Sequence, residues 1–145
     1  MEAGALVVVA AGGAAFIYID PRLPSVFSLL FLLAGTVNAA GYIYTLWKQP
    51  YVFDEGVHAF TTFTVCAAIG WWYLRSRSSL PRPLRIVAVV AAIGLVLGIA
   101  WELFEWAIGI VGDWGDTLLD LAMDMVGAVA AGLFCVWAGR AAARR

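Results

Sequence analysis

Five apolar stretches, at residues 4–19, 24–47, 57–74, 84–110 and 117–139, occupy most of this 145-residue chain and constrain its fold more than any other feature. A helix needs about 20 consecutive apolar residues to span hydrocarbon, within a range of about 17–25. The first stretch is the shortest, and the fourth is long enough to tilt or to project beyond the hydrocarbon core. Breakers mark the connections: Pro21 and Pro24, Pro50, Pro81 and Pro83, then Gly112 and Gly115. Nothing alternates apolar and polar residues with a period of two, so strands are not expected. Composition points the same way. Apolar residues make up 63% of the chain and charged ones 13%, with a mean hydropathy of +0.90, whereas a soluble domain carries about 25% charged residues. The expected fold is all-α: a polytopic transmembrane helical bundle of about five spans, four if the first does not cross. It forms a single integral membrane domain over residues 1–145.

Orientation follows from the basic residues. Arg22 lies in the first connection, Arg75, Arg77, Arg82 and Arg85 surround the third, and Arg140, Arg144 and Arg145 end the chain. With five spans these segments share one face and hold every basic residue but Lys48. That face is expected to be cytoplasmic, with the N-terminus outside and the C-terminus inside, in a multi-pass protein of the inner or plasma membrane. Losing the first span leaves the other four in the same orientation. Tryptophans and tyrosines near both ends of the stretches, among them Trp47, Tyr51, Trp71, Trp72, Trp101, Trp106 and Trp137, suit the two headgroup levels.

Other classes are set aside quickly. No Lys/Arg-rich patch suits a nucleic acid, so membrane lipids are the expected partners. Cys66 and Cys135 fit no CxxC or zinc pattern and read as small apolar helix residues. The only charge before the first apolar run is Glu2, which is not the basic n-region of a cleaved signal.

The acids carry the functional signal. On this topology Asp20 is cytoplasmic, while Glu2, Asp54, Glu55, Glu102, Glu105, Asp113, Asp116, Asp120 and Asp124 all fall on the outer side or in the outer half of a span. Acidic residues contribute little to orientation, so the positive-inside rule does not explain them. Glu102 and Glu105 share one helix face, and Asp116, Asp120 and Asp124 form a stripe at intervals of four. The tight Gly112–Gly115 connection makes these two helices an antiparallel hairpin, with Glu105 expected level with Asp120 and Glu102 with Asp124. At 1.5 Å per residue, Asp124 lies about 10 Å inward from Thr117 and Glu102 about 12 Å inward from Ile110. His58, the only histidine, follows Asp54 by one turn and can point to the same place. Asn38, Tyr42 and Thr45 can add neutral polar groups.

A charged side chain at the centre of a span costs about 2.5–3.5 kcal/mol on the insertion scale, so such residues default to function. Clustered carboxylates also repel one another. Either several are protonated or a bound cation compensates them. Hard oxygen ligands with one imidazole suit Mg²⁺, Mn²⁺, Zn²⁺ or Fe²⁺. The expected metal ligands are His58, Glu102, Glu105, Asp120 and Asp124, with Asp54 and Asp116 as additional candidates. Bland readings exist for each residue. A histidine at a helix end often caps it, an aspartate in a span can bond a neighbouring helix, and Asp116 can be the N-cap of the last helix. Gly94 and Gly98 form a GxxxG pair suited to close packing.

At these residues the chain resembles the YjdF-type inner-membrane proteins. The resemblance rests on Tyr42–Tyr44, on the run from Phe53 through Asp54 and His58 to Phe60, on Trp101-Glu102-Leu103-Phe104-Glu105-Trp106, and on Gly115–Gly127 with its spaced aspartates. It covers about the C-terminal two-thirds. VanZ-like membrane proteins are a more distant likeness. The resemblance implies the topology and the polar cluster, and it implies no reaction.

Three function classes remain open. The first is a metal-dependent membrane enzyme acting on a lipid or lipid-linked substrate. No HExxH, CDP-alcohol phosphotransferase or lipid-phosphatase signature supports it, and no arginine near the site can clamp a phosphate. The second is a proton- or cation-handling protein, which with so few helices requires an oligomer such as a homo-oligomer. The third is a non-catalytic membrane subunit whose polar network holds helices in register.

Overall fold

The computed structural model describes residues 24–44, 46, 53–110 and 113–142, and four helices account for nearly all of them. They are α1 (Ser25–Ile43), α2 (Phe53–Arg75), α3 (Pro83–Ile108) and α4 (Trp114–Ala142). No strand occurs among the described residues. The expected span at 4–19 lies outside them.

The chain divides into two units, residues 1–57 and 58–145. In the first, α1 follows Pro24, whose fixed φ suits the residue before a helix. Phe27 and Ala34 are its buried apolar residues. Asn38 is also buried and donates to the Ala34 carbonyl of its own helix at 2.9 Å. The first turn of α2, with Asp54 and Glu55, belongs to this unit. Both acids fall within the helix rather than before it, where the exposed amides of a helix start favour negative charge.

The second unit contains the rest of α2 with α3 and α4. Two local signals define the α3–α4 hairpin. Gly109 stops α3 in the left-handed conformation (φ 72°). Its amide donates to Trp106 O and the Ile110 amide to Glu105 O, the paired bonds of a Schellman motif. Asp113 then starts α4: its Oδ1 accepts from the Gly115 and Asp116 amides at 2.7 and 3.1 Å. Asp113 is therefore the cap, and Asp116 sits in the first turn, contrary to the capping role considered for Asp116. Across the hairpin end, Trp106 stacks on Trp114 at 5.2 Å and donates Nε1 to Thr117 Oγ1 at 3.1 Å.

Small residues bring the helices together. The buried residues of α3 are Ile86, Val90, Gly94, Gly98 and Glu102, one row at intervals of four. A β-carbon added at Gly94 would collide with Ala128, and one at Gly132 would meet Val87 Cα at 2.9 Å. Gly127 of α4 lies so close to the Ala59 carbonyl of α2 that no β-carbon fits there. Phe63 meets Phe134 edge-on at 6.0 Å, and Cys135 Sγ approaches the Ala67 carbonyl at 3.6 Å. Close backbone approach through Gly and Ala is how helices pack where hydrophobic burial between them gains little.

Helices α3 and α4 are long and apolar enough to cross a membrane. Leu84, Val96 and Leu103 on α3, and Leu118, Val126 and Leu133 on α4, are each more than half exposed. A core helix of a soluble protein would hide these side chains, whereas hydrocarbon accommodates them.

Candidate functional site

The buried row of α3 ends in an acid, and the facing row of α4 contains two. Glu102 is 3% exposed, Asp120 3% and Asp124 2%. All three lie within the second unit, as does His58 of α2, which is buried at 9%. His58 Nδ1 lies 3.4 Å from Asp124 Oδ1, and Nε2 lies 3.9 Å from Asp120 Oδ1. The imidazole therefore stands between two carboxylates that are one helical turn apart.

Asp124 is held from two further sides. Thr62, one turn after His58 on α2, donates its hydroxyl to Asp124 Oδ1 at 2.6 Å. Gly98 of α3 leaves the space into which Oδ2 fits. That oxygen has no hydrogen-bond partner among the described residues. The Gly98 contact also fixes the hairpin register. Gly98 is level with Asp124 and Gly94 with Ala128, so Glu102 falls level with Asp120. The expected pairing of Glu102 with Asp124 is displaced by one turn, because the two glycines determine where the backbones close.

Glu102 is the most exacting residue of the cluster. The Thr117 hydroxyl lies beside it, but neither Glu102 oxygen completes a hydrogen bond among the described residues, and both are buried. His58 partly offsets the charge around it, while Asp124 and Asp116 add to it. An ionised carboxylate so placed requires a cation or a proton. One turn on, Glu105 is half-buried, and its Oε1 accepts from Trp101 Nε1 at 2.9 Å. His58, Glu102 and Glu105 each offer a ligand atom within 4.8 Å of the others, a grouping able to hold a metal ion.

The remaining candidates are placed differently. Asp116 is exposed in the first turn of α4, one turn before Asp120. Asp54 is half-buried in the first turn of α2 and belongs to the first unit. Thr45 is outside the described residues, and Asn38 bonds within α1. Thr62 and Trp101, which hold Asp124 and Glu105, were not singled out as partners from sequence. A threonine in an apolar helix at i+4 from the lone histidine was the available signal for Thr62.

Over residues 1–141 the chain matches a family described as predicted membrane proteins, DUF2238, and it belongs to that family. These are the YjdF-type proteins, with no activity assigned, and the membership supports a membrane location. No curated protein and no solved structure gives a significant match.

Proposed function

We propose that this DUF2238 membrane protein binds one divalent cation inside its bundle through His58, Glu102, Glu105 and Asp120. The observation that carries this reading is Glu102: a buried carboxylate with both oxygens unpartnered among the described residues, beside an imidazole and a second glutamate. The 3.9 Å separation of His58 Nε2 from Asp120 Oδ1 is too long for a hydrogen bond. Two bonds of about 2.1 Å to one ion reach across it at an angle wider than tetrahedral. Asp124, on the other ring nitrogen, acts as the carboxylate that orients the histidine. Mg²⁺, Mn²⁺, Zn²⁺ and Fe²⁺ all suit this donor set.

In the five-span topology, with the N-terminus outside and the C-terminus cytoplasmic, the site lies in the outer half of an inner or plasma membrane. A cation held there would supply Lewis-acid chemistry, polarising a phosphoryl or acyl oxygen or activating a water. The matching activity is hydrolysis or group transfer on a lipid or lipid-linked substrate.

One observation favours proton or cation handling instead. Asp116, Asp120 and Asp124 climb α4 at single-turn intervals from an exposed position to a buried one, a ladder along which an ion can pass.

Metal analysis of detergent-purified protein separates the two. The metal reading expects a stoichiometric divalent ion in wild type that is lost in Glu102→Gln and in Glu105→Ala. Metal-free wild type whose thermal stability does not rise with Mg²⁺, Mn²⁺ or Zn²⁺ rejects it and leaves the acids protonated.

A further inference from the structure

At the opposite end of α3 from the acids, the chain forms a second feature that the metal site does not use. An open recess of about 470 Å³ is lined by Arg82, Leu84, Arg85 and Ala88. Arg82 immediately precedes α3 and Arg85 lies in its first turn, and both are exposed. Their guanidinium groups have no carboxylate within ion-pair distance among the described residues. The described acids of the second unit lie instead at the end of α3 and the start of α4. Arg77, by contrast, is already stacked on the Tyr73 ring at 4.7 Å. The other two described lining residues are apolar. Leu84 is 80% exposed, and Ala88 follows one turn along a helix long and apolar enough to cross a membrane.

We propose that this recess binds the headgroup of an anionic phospholipid, with an acyl chain lying along α3 past Leu84 and Ala88. Guanidinium groups match phosphate oxygens in number and geometry. Basic residues at the end of a membrane helix are the usual partners of anionic headgroups. The apolar walls select the lipid over a free anion, because inorganic phosphate makes no use of Leu84 or Ala88. The inference stands apart from the metal site, with which it shares no residue.

The test is native mass spectrometry of the full chain in detergent, titrated with phosphatidylglycerol or with phosphatidylcholine of the same acyl chains. Wild type is expected to retain phosphatidylglycerol as a discrete adduct in preference to phosphatidylcholine. R82Q/R85Q is expected to lose about thirty-fold in affinity for phosphatidylglycerol, at about 1 kcal/mol for each basic residue near a headgroup, with phosphatidylcholine unchanged. Arg77→Gln is the control and should bind like wild type. If the double variant does not fold, Ala88→Glu decides, since it sets a negative charge in the same recess and leaves both arginines in place. Equal retention of the two lipids overturns the proposal. So does undiminished binding in R82Q/R85Q or Ala88→Glu, and so does full displacement of the lipid by millimolar inorganic phosphate.

Discussion

Gly98 of α3 lies against the carboxylate of Asp124 on α4, and a β-carbon at Gly98 would come within 2.5 Å of Oδ2. The glycine does more than let two helices approach, because it leaves the volume that an acidic side chain occupies inside an apolar bundle. Asp124 has little freedom to yield, since Thr62 holds Oδ1 and His58 faces the same oxygen. Gly98→Ala is therefore expected to destabilise by about 1–3 kcal/mol, the usual range for overpacking a filled site. Thermal unfolding in detergent checks this. Gly35→Ala in α1, where nothing lies within 4 Å of an added β-carbon, should be neutral or stabilising, because alanine is the better helix former by about 1 kcal/mol.

Gly127→Ala should cost more than Gly98→Ala. At Gly127 the obstacles are backbone atoms of α2, the Ala59 carbonyl and the Phe63 amide. No rotamer change relieves such a clash, so α2 and α4 must separate along their length. The expected order of melting temperature is wild type, then Gly98→Ala, then Gly127→Ala. The reverse order of the two variants would mean that the carboxylate at Asp124 is more rigidly held than the helix pair.

Thr62→Val removes the hydroxyl that donates to Asp124 Oδ1 at 2.6 Å while keeping the shape of the side chain. A buried carboxylate that loses a donor costs about 1–3 kcal/mol. Thr62→Ser, which retains the hydroxyl, should recover most of that loss. Equal stability of the valine and serine variants would show that the bond contributes nothing net.

Much of this was legible from the apolar periodicity and the placement of charge. The stretches at 84–110 and 117–139 became α3 at 83–108 and α4 at 114–142, because breakers and hydropathy mark both ends. The face-sharing of Glu102 with Glu105, and of Asp120 with Asp124, followed from helix geometry alone, whereas the one-turn spacing of His58 from Asp54 does not specify its place beside Asp120 and Asp124. Register was not legible. It depends on where Gly94 and Gly98 meet Ala128 and Asp124, a tertiary fit that loop length does not specify. Capping turns on a local detail: Asp113 and Asp116 are both compatible with a helix start, and only the backbone path decides between them. The partners Thr62 and Trp101 belong to the same class, since a hydroxyl or indole within an apolar run announces no partner.

Asp124→Asn tests the role given to Asp124 against that of a ligand. If its carboxylate orients His58 from behind, the variant should fold and still bind the cation, with affinity reduced by about 10–100-fold, as for other outer-shell partners of metal-bound histidines. Glu102→Gln, which alters a direct ligand, should abolish stoichiometric binding. Competition with a graded series of chelators measures both. Complete loss in Asp124→Asn would place Asp124 among the ligands.

The pH dependence of metal retention carries the last distinction. Carboxylates and imidazole bind a cation only when deprotonated, so binding releases protons and acid reverses it. Purified protein dialysed against a pH series should keep its metal at neutral pH and lose it progressively as the pH falls, with no loss on the alkaline side short of unfolding. The sign follows from competition between proton and cation for the same lone pairs of His58, Glu102, Glu105 and Asp120. Because Glu102 is buried, its charge needs either a proton or the cation, and the two exclude each other. Metal addition at constant pH should therefore release protons measurable in weakly buffered solution. Proton release that vanishes in Glu102→Gln ties the exchange to this site, whereas release unchanged in that variant would move the cation elsewhere in the chain.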